Sequence, residues 1–208
     1  DVYLHERAAA ALECWFPGIT GGQAIAETIF GINNPAGRMP VTTARHVGQI
    51  PIYCGHRLGD SYDSSMVLSR YCDSTLEPLY YFGHGLSYTA FEYTDLSVDA
   101  AEQCLSYTEF AYLALEVDEK GVQLTVTNVG ERDGAEVVQL YVTDDLASML
   151  RPARELAGFK RIHLEAGESC KVEFICAYSQ FAFLNKKMEW IIEKGSMHFA
   201  IGPSSKVI

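Results

Sequence analysis

Paired cysteine motifs are missing from this sequence. Its six cysteines are Cys14, Cys54, Cys72, Cys104, Cys170 and Cys176, and none forms a CxxC pair, so a zinc site of the usual spacing is not expected. Cys170 and Cys176 fall on one face of a predicted strand, about 20 Å apart at ~3.3 Å per residue, too far to bridge. Scattered unpaired thiols lean toward a reducing compartment, so the cytoplasm is the expected location, with a secreted or periplasmic one as the alternative. No apolar run approaches the ~18–20 residues of a membrane span. Positive charge is scarce: 16 Lys and Arg face 27 Asp and Glu, a net −11. An acidic surface repels phosphate, so neither nucleic acid nor an anionic membrane is expected as a partner. Internal repeats and low-complexity stretches are also absent.

The common catalytic signatures are missing too. His5, His46, His56, His84, His163 and His198 show no HxH or HExxH spacing. The run Gly83-His84-Gly85-Leu86-Ser87 does not fit the GxSxG nucleophile elbow. Gly18, Gly21 and Gly22 stand near a helix start but lack the Walker lysine, so they read as packing glycines. Glu6 and Glu13, Asp60 and Asp63, and Asp144 and Asp145 read as solvated carboxylates or turn caps. A working acid/base pair needs one carboxyl raised in a dry pocket, and nothing local supplies it. Catalytic residues, metal ligands and cofactor ligands are therefore all expected to be none. His84, set among aromatics and glycines, reads as a structural hydrogen-bonding residue or as one approaching a sugar through Phe82. Trp15, Tyr80, Tyr81, Tyr88, Phe91 and Tyr93 could stack on sugar faces, but core and interdomain packing is the stronger reading.

What is present suits a folded chain. With 208 residues, 48% hydrophobic and 21% charged, the composition is ordinary for globular proteins. A chain of this size buries about 70% of its unfolded surface, in one or two domains. Leu4 to Trp15 is rich in helix formers, and Pro17-Gly18 stops it. A second helix opens at Gly21-Gly22, with Ile25, Ala26, Ile29 and Phe30 as its apolar stripe and Gly31 as a left-handed cap. Asn33 to Gly37 then reads as a turn. Two such helices cannot bury their faces alone. From about 41 to 90 no period is sustained; Gly48, Pro51, Gly55, Gly59, Pro78, Gly83 and Gly85 punctuate it, with Asp60 to Ser65 in the middle. The segment is too aromatic for a flexible linker and reads as one packed across another surface.

Beyond residue 90 the period becomes two. Val122, Leu124 and Val126 face one way and Gln123, Thr125 and Thr127 the other. Val138, Leu140 and Val142 form the next inward set, and Val172, Phe174, Phe199 and Ile201 repeat it. Turn signals at Asn128-Val129-Gly130 and Asp133-Gly134 separate the runs. Trp190 is expected in the core or sealing its edge. The expected fold is mainly β: an immunoglobulin- or fibronectin III-like sandwich over 91–208, preceded by a helical remnant of an α/β sandwich over 1–50 and an ordered linker over 51–90.

Particular strings resemble a known family. ALECWFPGITGGQAIAETIFGINNPAGRMPVT, Ala11 to Thr42, is similar to the end of the α/β sandwich domain of glycoside hydrolase family 3. Gln49-Ile50-Pro51-Ile52-Tyr53 resembles its Q-[IL]-P-x-Y, and EPLYYFGHGLSYTAFEY, Glu77 to Tyr93, its P-L-Y-P-F-G-[YH]-G-L-S-Y-T block, with Tyr81 in place of proline. Val126 to Gly130, Gly134 to Val142, Arg151-Pro152, Glu155 to Phe159 and Leu164 to Glu168 resemble later blocks in the same order.

This resemblance implies the C-terminal accessory portion of a retaining glycosidase of the β-glucosidase type. Such enzymes set a nucleophile and an acid/base carboxyl roughly 5–5.5 Å apart. In the family the nucleophile is an Asp on an (α/β)8 barrel, and the acid/base is usually a Glu earlier in the α/β sandwich. No residue of this chain matches either motif. The implied partners are that missing barrel, the rest of the α/β sandwich, and the parent's carbohydrate substrate. The chain opens on Asp1 with no basic or apolar leader, which suggests a removed signal or excision from something longer; the unpaired helices favour excision. Rival readings are a stand-alone carbohydrate-binding sandwich and a protein-adhesion module. Excision predicts an exposed apolar patch around Trp15, Ile25 and Ile29, larger than the few hundred Å² usual for a monomer.

Overall fold

The computed structural model describes residues 2–57, 74–98, 120–144, 146–193 and 197–206. Asp60 to Ser65, Cys72, Cys104 and Asp145 lie outside them. Helix α1, Val2–Arg7, is 6 residues long and buries none of them. The longer helix expected to Trp15 does not form: residues 8–20 are irregular, and Trp15 sits at φ 46°. A helix shorter than about 12 residues is marginal in water, and residues 8–13 are exposed, so the described residues supply no packing that extends this one. Helix α2, Gly21–Ile29, starts where the sequence places it. Gly31 at φ 73° supplies the left-handed residue past its end, and the Ile32 N–H reaches back to the Glu27 carbonyl at 2.8 Å.

Among the described residues eight strands follow: β1 Phe91–Val98, β2 Lys120–Asn128, β3 Gly134–Asp144, β4 Glu155–Leu164, β5 Ser169–Cys176, β6 Phe183–Leu184, β7 Trp190–Ile191 and β8 Met197–Gly202. One antiparallel sheet has the order β1-β2-β5 and a second β4-β3-β8, with β6 and β7 forming a short hairpin. The two sheets close on a core of Val122, Leu124, Val126, Val138, Leu140, Val172 and Phe174. Leu124 stands opposite Val172 and Val122 opposite Phe174, so the apolar residues of neighbouring strands share one face. Each fully buried side chain of this kind stabilises the fold by about 1.5–3 kcal/mol. Cys170 and Cys176 share the inward face of β5 and are free thiols.

Strand β2 keeps the expected alternation; β3 does not. Ala135, Gln139 and Tyr141 are buried along with Val138, Leu140 and Val142, and the register shifts between Leu140 and Tyr141. The linker and the segment after β8 both meet this strand at Gln139. Gln139 Nε2 donates to the Gly83 carbonyl at 3.4 Å and to the Pro203 carbonyl at 2.6 Å. At the other end of the strand the Ala153 N–H donates to the His56 carbonyl at 2.7 Å. Trp190 departs from expectation as well. It is 61% exposed, standing opposite Leu184 on the outward side of the hairpin, while Phe183 takes the buried side.

Candidate functional site

Among the described residues, the carboxylates named from the sequence form no catalytic pair. Glu6 and Glu13 are exposed and no longer share a helix; Glu13 accepts a hydrogen bond from the Trp15 N–H at 3.2 Å. Asp144 and Glu155 both answer Arg151, at 3.8 and 2.8 Å. Among the described residues no group of three or more His, Cys, Asp or Glu could hold a metal ion.

Two histidines do come together. Tyr80 stacks on His84 with ring centroids 5.0 Å apart, and its hydroxyl lies 2.9 Å from His5 Nδ1. Burial, then the charges of Arg38, His5 and Lys206, hold His84 below the ordinary imidazole range. A neutral, stacked imidazole in this setting is a packing element. Burial likewise pushes the half-buried Cys54 thiol up, the opposite of what a nucleophilic thiolate needs.

The organised chemistry lies at the seam between the helical segment and the sandwich. Arg38 Nη2 donates to both carboxylate oxygens of Glu136 at 2.7 Å, and the two side chains are only 8% and 4% exposed. Glu136 also accepts from the Val137 N–H at 2.8 Å. The Tyr93 hydroxyl is buried beside this carboxylate without a well-formed hydrogen bond, and burial plus that charge drive its ionisation far upward. A shallow hollow of about 260 Å³ lies here, against Arg38, Leu86, Phe91, Tyr93, Glu136 and Pro203. The Arg38 Nε and the Tyr93 hydroxyl are shut off from solvent, so neither is offered to a ligand.

Hydrogen bonds extend the seam in both directions. The Tyr88 hydroxyl donates to the Thr28 carbonyl of α2 at 2.7 Å. Asn34 Oδ1 accepts from Ser87 Oγ at 3.0 Å and the Tyr88 N–H at 2.9 Å, while its Nδ2 donates to the Asp133 carbonyl at 3.0 Å. Thr89 Oγ1 donates to Asn128 Oδ1 at 2.6 Å, and the buried Asn128 amide donates to the Arg132 and Leu164 carbonyls at 2.8 and 3.1 Å. One face of α2 is thereby tied to the β2–β3 turn. The other side of this region is bare: Trp15, Phe16, Ile19, Ile29, Phe30 and Ile32 are exposed, and Ile25 is half-buried.

Sequence reasoning did not single out Arg38, Glu136, Asn128 or Gln139. One signal was there to read: Glu136 lies in phase with Val138, Leu140 and Val142, so a carboxylate falls on the inward parity of a strand. Such a charge requires a buried partner.

Known proteins resemble this chain in sequence and fold. The family model for the glycosyl hydrolase family 3 C-terminal domain matches residues 1–88, and that for a fibronectin type III-like domain matches 136–205. A periplasmic β-glucosidase of Salmonella typhimurium is 38% identical over 96% of this chain, and a β-xylosidase of Formosa agariphila is 37% identical over 98%. The chain spans about a quarter of the length of each, 25% and 26%. Among solved structures, a β-glucosidase from Erythrobacter marinus superimposes with a TM-score of 0.83 at 36% identity, over 98% of this chain and 25% of its own. A β-glucosidase from Listeria innocua in complex with glucose does so with 0.81 at 33%, over 99% and 28%. The helical segment, its seam to the sandwich and the sandwich itself thus match one family in one continuous order, and the chain belongs to the C-terminal part of glycosyl hydrolase family 3.

Proposed function

We propose that this chain braces the catalytic portion of a retaining, β-glucosidase-like family 3 enzyme that hydrolyses O-glycosidic bonds of β-glucosides or related sugars. The observation that carries this reading is the bare apolar side of residues 12–32, opposite the side that is hydrogen-bonded to the sandwich. Exposed large hydrophobics in such a run suit a surface that packs on more protein. The partner on this reading is an (α/β)8 barrel together with the remaining strands of an α/β sandwich, and the carbohydrate substrate belongs to that assembly. Residues 1–50 are the end of the α/β sandwich, 51–90 a packed linker and 91–208 the fibronectin-like unit. The nucleophile and the acid/base lie outside this chain, none of whose residues is catalytic. The free thiols of Cys14, Cys54, Cys170 and Cys176 favour a reducing cytoplasm. No helix among the described residues is long and apolar enough to cross a membrane.

The test is an aryl β-glucoside assay. The purified chain gives no turnover, and hydrolysis appears when it is joined to the barrel and α/β portion of a family 3 relative from which the corresponding quarter has been removed. Turnover by the chain alone defeats the reading, as does full activity of the truncated relative without it. Saturable binding of glucose, cellobiose or xylose to the chain alone would favour a stand-alone carbohydrate-binding module instead.

A further inference from the structure

We infer that the outer face of the β4-β3-β8 sheet is an obligate docking surface for the chain's own linker, so that the sandwich folds as the inner part of a three-layer unit and not as a portable module. The polar groups on that face make the case. Tyr141 is fully buried, and its hydroxyl donates to Gln139 Oε1 at 2.5 Å. The Gln139 amide nitrogen is then committed to the Pro203 and Gly83 carbonyls. The Pro203 carbonyl is the nearer partner at 2.6 Å and the Gly83 carbonyl the second at 3.4 Å, so the segment around Gly83 completes the relay and covers it from water. The fit is close: Gly83 adopts φ 80°, and a Cβ there would come within 2.8 Å of the Gln139 amide. Glycine is demanded both by backbone conformation and by the approach of β3.

The linker is held at its edges as well. The Ser205 N–H after β8 donates to the Phe82 carbonyl at 2.8 Å, and Arg154 ahead of β4 donates to the Ser205 carbonyl. Arg57 forms a β-bridge with Pro152. Linker, β3, the lead-in to β4 and the tail after β8 are therefore interwoven, and the stretch 136–205 that matches the fibronectin-like family model holds only part of the unit. The inference does not depend on the enzymatic context of the chain.

Hydrogen exchange on the full chain tests it. The Gly83 and Ser205 amides and those of β2 and β3 are expected to open together as one cooperative unit. Q139A, which removes the relay's central amide, is expected to lower protection in linker and sandwich alike by about tenfold or more, as loss of a buried hydrogen-bonding partner does. G83A is expected to do the same, and G83A/Q139A to be less damaging than the two effects summed, because the Cβ then has no amide to meet. If G83A does not fold, Q139A alone carries the comparison. Linker amides that exchange early while β2 and β3 stay protected would overturn the inference. So would a Q139A variant whose sandwich protection is unchanged.

Discussion

Arg38 and Glu136 meet across 98 residues of chain, one guanidinium nitrogen reaching both carboxylate oxygens at 2.7 Å in a nearly dry seam. Removing one partner strands the other charge, which typically costs about 3–5 kcal/mol, whereas replacing both by apolar residues is often neutral or stabilising. Chemical denaturation should therefore show R38M and E136L each strongly destabilised and R38M/E136L close to the parent. Equal losses in the double and single variants would show that packing, rather than the ion pair, holds the seam.

Core and hairpin should respond differently to truncation. Leu140 is fully buried between the sheets, so L140A is expected to lose about 2–5 kcal/mol. Trp190 is mostly exposed, so W190A should stay within about 1 kcal/mol of the parent chain. Unfolding curves in urea decide this, and a W190A loss as large as that of L140A would mean the indole packs inward.

Acid should weaken the linker packing through His84. Its folded-state pKa lies below the ordinary 6.5 because burial opposes the charged ring. The unfolded chain takes up that proton first, so stability rises with pH through this window and falls on acidification below about 6.5. Melting temperatures measured between pH 5 and pH 8 should fall toward acid, and H84Q should flatten that slope. An unchanged slope in H84Q would place the titration on another group.

The bare side of the helical segment should be sticky. Phe16, Ile19 and Phe30 are almost fully exposed, so the isolated chain is expected to bind a hydrophobic dye and to associate as concentration rises. F16S/I19S/F30S should reduce both effects while leaving the melting temperature nearly unchanged. A large fall in melting temperature would show that these residues already pack within this chain.

Local chemistry made much of this molecule readable from its residues. Period-two runs such as Val122 to Val126 and Val138 to Val142 define strands because neighbouring side chains on a strand point to opposite faces. Gly31 marks the end of α2 because only a residue free of Cβ strain enters the left-handed region easily. The order of the motifs names the family. Tertiary structure decided the rest. Whether Tyr141 and Gln139 face water depends on which distant segment lies over β3, and strand periodicity holds no information about a third layer. Glu136 betrays a buried partner, but contact across 98 residues, not local pattern, selects Arg38. The helix expected to reach Trp15 ends at Arg7 because a short segment takes its stability from packing, and its propensity alone cannot hold it.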